Sequence, residues 1–276
     1  MNPVIEVGLI AQRELRRNFR SVKGVVMAVL TLLGGVGISL IRMKVEQLNA
    51  GKFTAEDVQQ LQEALLAKQY GDEMGHYLAA VPPILLGLLV MTVWLSPLLV
   101  SVIGFDAIAG EMQHRTVRYF TMRSRRASYY IGKTVGLWLV VSTITLVLHS
   151  MVWLLAVTRG GISASVGFGW GLHLWLITLP IIAAWSGLAT FIGSQFKSPI
   201  LALLVTFAIF FVLFVLGLIG LVSESAYWVG FVYPNTFEDW MLSPHADRVS
   251  EGAAACAAIA VVTAAAGAVL FTRKDV

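Results

Sequence analysis

Long apolar runs separated by short polar stretches dominate the chain. Runs of spanning length cover about 22–41, 78–104, 129–157, 168–192, 199–222 and 252–271. Each holds roughly 20 or more residues, the length a helix needs to cross a hydrocarbon core about 30 Å thick. They predict an all-α membrane protein with six transmembrane helices, since a helix satisfies its backbone polar groups within one segment. The second run carries Pro82, Pro83 and Pro97, which predict bends that neighbouring helices must accommodate. Residues 3–20 break the pattern. There Val4, Ile5, Leu9, Ile10 and Leu15 interleave with Arg13, Arg16, Arg17 and Arg20, too charged to span. The segment reads as an amphipathic interfacial helix on the membrane surface. Three polar segments remain, at 42–77, 105–128 and 223–251. In the first, Thr54 is placed to cap a soluble helix opening at Ala55-Glu56-Asp57. The last is aromatic and too apolar in its middle for a floppy loop.

Composition narrows this picture to one membrane domain over 1–276. Hydrophobic residues make up 57% and charged residues 13% of the chain, whereas a soluble domain carries about 25% charge. Six spans leave room for loops and the interfacial helix but not for a soluble enzyme domain. Cys256 is the single cysteine and lies in an apolar run, so an internal disulfide is excluded and a packing role expected. No cleavable signal is evident around the first run.

Charge sets the expected orientation. With both termini in the cytoplasm, 14 of the 20 Lys and Arg residues fall inside, with only 5 of the 16 acids. The inner side then carries +9 and the outer side −5, which is the positive-inside pattern. On this reading 105–128 is cytoplasmic, and 42–77 and 223–251 are extracytoplasmic. The pI near 9.3 therefore points to a membrane face with anionic lipids as partners, not to nucleic acid.

Motifs for chemistry are weak. Gly132-Lys133-Thr134 resembles the end of a phosphate-binding loop, but the first glycine of that motif would stand at Ala127, and the following helix is a span. Lys133 reads instead as a snorkelling or interfacial cation. Trp185-Ser186-Gly187 raises a rhomboid-like intramembrane protease, with His149 as the one histidine placed to reach Ser186; the expected G-x-S-G and a last-span histidine are lacking. A secondary transporter or channel is the other alternative, weakened because no Asp or Glu lies centrally in a span. No catalytic residue and no metal site is assigned. Tryptophans near span ends read as an aromatic belt. Gly132 with Gly136, and Gly217 with Gly220, read as places where helices approach closely.

The segment 105–133 carries the one specific pattern. Phe105-Asp106, Glu111, Arg115-Thr116-Val117-Arg118-Tyr119, Arg123-Ser124-Arg125-Arg126 and Gly132-Lys133 follow in order. This resembles the cytoplasmic loop between the second and third spans of ABC-2 type transporter permeases. There an Asp, a Glu, a Gly-Thr-Leu-like step, a Pro-Val-Ser-Arg-like turn and a Gly-Lys lead into the third span. Arg115 stands where that family usually has Gly, and Arg123-Ser124-Arg125 replaces the Pro-containing turn. Arg13-Glu14-Leu15 and the closing Phe271-Thr272-Arg273-Lys274-Asp275 resemble the family's two ends.

The resemblance implies a type V exporter-like fold in which 105–128 forms a coupling helix. Asp106, Glu111, Arg115, Thr116, Arg118 and Arg123 would contact a separate ATP-binding subunit, with ATP and Mg bound there and no cofactor on this chain. Residues 3–20 would be the connecting helix, with Arg13, Glu14 and Arg17 near that subunit. The external segment would turn at Tyr233-Pro234-Asn235 and gate the pathway or meet an extracytoplasmic accessory protein. Six spans imply a permease dimer, a homodimer by default, with two ATP-binding subunits in a bacterial inner membrane. ATP hydrolysis in the partner would drive export or conformational transmission.

Overall fold

The computed structural model describes residues 2–49 and 55–274. Thr54, Lys52 and Asp275 lie outside them. The described residues are almost entirely helical, and six helices are long and apolar enough to cross a membrane.

Helix α1 (Pro3–Arg20) begins with Asn2, whose side chain accepts from the Val4 N–H at 3.0 Å, followed by Pro3. A side-chain cap before a first-turn proline satisfies the otherwise orphaned N-terminal donors. A single extended residue, Ser21 (φ −85, ψ 142), separates α1 from α2 (Val22–Asn49). Its Oγ donates to Asn18 O and accepts from Gly24 N, fixing the corner.

The hairpin α3 (Ala55–Tyr70) and α4 (Asp72–Ala79) turns at Gly71, whose φ of 89 only glycine adopts freely. Helix α5 (Pro83–Gly104) starts five residues later than the apolar run predicts, because Pro82-Pro83 cannot continue α4. Two short helices follow, α6 (Ala109–Gln113) and α7 (Val117–Thr121), then α8 (Arg126–Arg159). Helix α9 (Ala164–Gly193) is capped by Ser163 and α10 (Pro199–Val222) by Ser198. Two 3-10 stretches, Glu224–Val232 and Pro234–Phe237, and the single turn α11 (Glu238–Met241) lead into α12 (Ala246–Thr272).

Helix α9 is the hub: 67% of its apolar window is buried, against 17% for α2 and α10 and 22% for α12. Its Ile181, Ile182 and Trp185 pack with Leu89 and Val100 of α5 and Val141 and Leu148 of α8, all fully buried. In lipid, helix association rests on close packing and interhelical hydrogen bonds rather than on expulsion of water. Such bonds join α8 to α9 (Thr134–Thr190 hydroxyls, 3.0 Å; Trp138 Nε1 to Leu179 O, 3.0 Å) and α5 to α8 (Thr92 Oγ1–His149 Nε2, 3.1 Å). Both termini lie at one end of the bundle: Arg126 donates to Thr272 O and Lys274 O.

Candidate functional site

At the end that holds both termini, α1 crosses the start of α8. The crossing needs glycines, because a side chain at Gly132 would meet Ile10 and Val7, and one at Gly136 would meet Glu14 and Ala11. The face of α1 turned inward is polar: Glu6, Glu14 and Asn18 are buried, while Ile5, Leu9, Arg13, Arg16 and Arg20 face out. The outward face mixes apolar side chains with arginines, which suits a helix whose outer side meets lipid headgroups.

The inward acids meet a buried cation. Lys133 Nζ, only 2% exposed, donates to Glu14 Oε1 at 2.6 Å and to Glu111 Oε1. Arg17 bridges the same two acids, at 2.7 Å to Glu14 and 2.8 Å to Glu111. Tyr129 OH donates to the second oxygen of Glu111. Two acids and two bases thus form a neutral quartet joining α1, α6 and α8. Burying charge is tolerated only when each partner is paired and hydrogen-bonded. Lys133 therefore does not snorkel to solvent, contrary to the sequence reading; its ammonium is held inside by the two carboxylates.

The loop between α5 and α8 is anchored on the same side. Lys23 Nζ of α2 donates to Ile103 O and to Asp106 Oδ1. Thr116 Oγ1 donates to Glu111 O, and the Arg13 guanidinium sits 3.9 Å over the Phe120 ring. Ile108 and Val117 are buried, so part of the loop's apolar side is turned into the bundle. Outward it presents His114, Arg115, Arg118, Tyr119, Met122 and Arg123. Arg115 takes φ 56, a left-handed conformation, at the link between α6 and α7. The turn survives there although the residue is not glycine. A groove of about 440 Å³ opens beside it, lined by Arg17, Asp106, Glu111, His114, Thr116 and Pro199 among others.

The segment after α10 goes deeper than external helices resting on the surface. Its first limb runs back along α10, where Gly220 and Gly230 meet backbone to backbone and Gly217 faces the Tyr233 ring. At the turn, Asn235 is buried and fully bonded. Its Oδ1 accepts from Trp185 Nε1 at 2.8 Å, and its Nδ2 donates to Val93 O and to Tyr233 OH, each at 3.0 Å. Val93 stands four residues before Pro97, which has no N–H to give it, so the Asn235 amide and the Ser96 hydroxyl (2.8 Å) together serve the carbonyl that the proline leaves open. Val93 lies midway along α5, and the tip of the segment therefore reaches the middle of the bundle. Cys256 of α12 is buried beneath it, its Sγ donating to Pro234 O at 3.7 Å.

The predicted residues thus divide. Glu14, Arg17 and Glu111 come together; Asp106 pairs with Lys23; Arg13 and Thr116 brace the loop; Arg115, Arg118 and Arg123 face outward; Tyr233, Pro234 and Asn235 form the deep turn. His149 bonds Thr92, not Ser186, whose Oγ is buried without a partner among the described residues. Lys133, Tyr129, Lys23 and Trp185 were not singled out for these roles by sequence. The Gly-Lys step was the available signal for the first of them.

Such an architecture defines an all-helical, multi-pass membrane protein with a charged loop face at its terminal end. A model of ABC-2 family transporter proteins matches residues 26–242. The chain belongs to that family and is the permease component of an ABC transporter, which implies pairing with an ABC ATP-binding subunit. No curated protein matches it.

Proposed function

We propose that this permease couples ATP hydrolysis in a separate subunit to export or mechanical transmission across a bacterial inner membrane. The excess of Lys and Arg at the terminal end supports placing that end in the cytoplasm. The observation that carries the reading is the buried quartet. It ties the loop of α6 and α7 to both α1 and α8, so a push on the loop is passed to two helices rather than absorbed by a flexible link. Arg115, Arg118, Arg123 and Tyr119 form the docking face. The quartet and Lys23–Asp106 hold that face in position. Two permease copies, a homodimer, and two ATP-binding subunits complete the assembly, and the deep turn at Tyr233-Pro234-Asn235 closes the outer mouth, where an accessory protein would also bind.

The test is gentle purification from the native membrane with quantitation of co-purifying proteins. An ATP-binding subunit in roughly equal amount is expected, lost in an Arg115→Glu/Arg123→Glu variant that retains its thermal stability. A chain that emerges alone, and binds no such subunit on reconstitution, would end the coupling reading.

A further inference from the structure

The deep segment carries an acid that its bonding does not explain. Glu238 opens α11, directly after the 3-10 turn that holds Asn235. It is only 6% exposed, and its Oε1 is fully buried with no donor among the described residues. A buried carboxylate without a partner is costly as the anion and much less so with a proton. Phe237 and Trp240 flank it, and Met241 and Trp240 pack against Gly252 of α12.

The ionisable groups around it supply no cation. Asp239 is its neighbour on α11 and adds negative charge. Tyr70 of α3 and Tyr233 lie within reach of the carboxylate, and burial holds both phenols neutral. On α12, Arg248 is turned over the Trp240 ring and lies 3.7 Å from Glu251. His245 meets Glu73 of α4 at 3.0 Å, an exposed pair charged only when the imidazole is protonated. The one ionisable side chain of α9, His173, meets the Trp170 ring edge to face.

We propose that Glu238 is a proton-binding site that governs the deep segment: protonated, it lets the segment sit closed in the bundle, and deprotonated, it drives the segment outward. Burial, with Asp239 adding to it, pushes the carboxyl from 4.5 up to about 8 in the closed form. The sign follows from linkage. The closed form holds a proton that the solvated, open form gives up. Closure is fully favoured below about 4.5 and loses ground as pH climbs towards 8. Within that window each pH unit multiplies the open-to-closed ratio by up to about tenfold. On the orientation proposed above, the proton comes from the extracytoplasmic side.

Cys256 reports the movement, being the single thiol in the chain and buried under Pro234. The experiment is labelling of the purified full-length chain in lipid nanodiscs with a small thiol reagent between pH 5.5 and 8.5. Wild type is compared with Glu238→Gln at each pH, because thiolate content rises with pH in both. The ratio of the wild-type rate to the variant rate should be smallest at pH 5.5 and rise by about tenfold or more by pH 8.5. Parallel profiles would overturn the proposal. Hydrogen exchange of the 230–245 peptide in unmodified protein, corrected for intrinsic rates, gives a second reading that needs no variant. Protection should fall as pH rises, and constant protection would also overturn it. Neither assay uses nucleotide or the ATP-binding subunit, so a failure here leaves the coupling reading standing.

Discussion

Lys133 Nζ lies 2.6 Å from Glu14 Oε1, a contact between residues 119 positions apart that fastens the first helix to the third membrane helix. Both side chains are almost fully buried, and Glu111 completes the site from the intervening loop. Lys133→Met should therefore leave two acids with only Arg17 between them and destabilise the chain by about 3–5 kcal/mol. A Glu111→Gln/Lys133→Met double variant should regain a large part of that loss. Thermal unfolding in detergent for the two singles and the double gives the coupling; additive losses would show that the quartet does not act as a unit.

Arg115 holds a left-handed φ that glycine takes without strain. Replacing it by glycine removes about 1–2 kcal/mol of steric cost and returns part of that as chain entropy. The expected net gain is up to about 1 kcal/mol in stability. On the proposed docking role, the same change should weaken association with the ATP-binding subunit. A stability gain with undiminished association would reassign Arg115 to an ordinary turn residue.

The crossing of α1 over α8 leaves no space at Gly136, where an added side chain meets Glu14 and Ala11. Gly136→Val should cost about 1–3 kcal/mol and loosen α1. Limited proteolysis within 3–20 should speed up, with α9 and α10 unaffected. Equal protection of the N-terminal helix in variant and wild type would mean that the crossing adapts.

Asn235 satisfies both Trp185 Nε1 and Val93 O, and Asn235→Ala leaves the indole donor buried and unpaired. Each group left so costs about 1–3 kcal/mol. Labelling of Cys256 should accelerate at all pH values, in contrast to the pH-selective effect expected at Glu238. An unchanged rate would locate the hold on this segment elsewhere, with the Gly220–Gly230 contact as the next place to look.

How far these features could be read from sequence differs by kind. Helix α10 matches its apolar run because Ser198-Pro199 and Ser223 punctuate both ends. Helix α2 continues past 41 because nothing in Arg42-Met43-Lys44-Val45 breaks a helix, and polarity alone does not stop one. Helix α12 begins before its apolar run for the same reason. The glycine pairs at 132/136 and 217/220 were legible as close approaches, since small residues at that spacing have few other uses in a span. The partners they admit were not. Arg17 finds Glu111 across 94 residues, and that pairing depends on where two helices cross. Glu238 escaped notice because its segment reads as external, and its burial follows only from the Asn235 anchor.

Helix α8 runs 34 residues from Arg126 to Arg159 without a proline, whereas α5 and α9 each contain one in the interior. At 1.5 Å per residue it is about 51 Å long, well beyond the roughly 30 Å of hydrocarbon it crosses. A rod of that length with no proline in it is a lever. The quartet grips it near one tip, and a tilt of about 10° applied there sweeps the opposite tip through about 9 Å. Helices that bend at a proline would lose part of such a stroke in the bend.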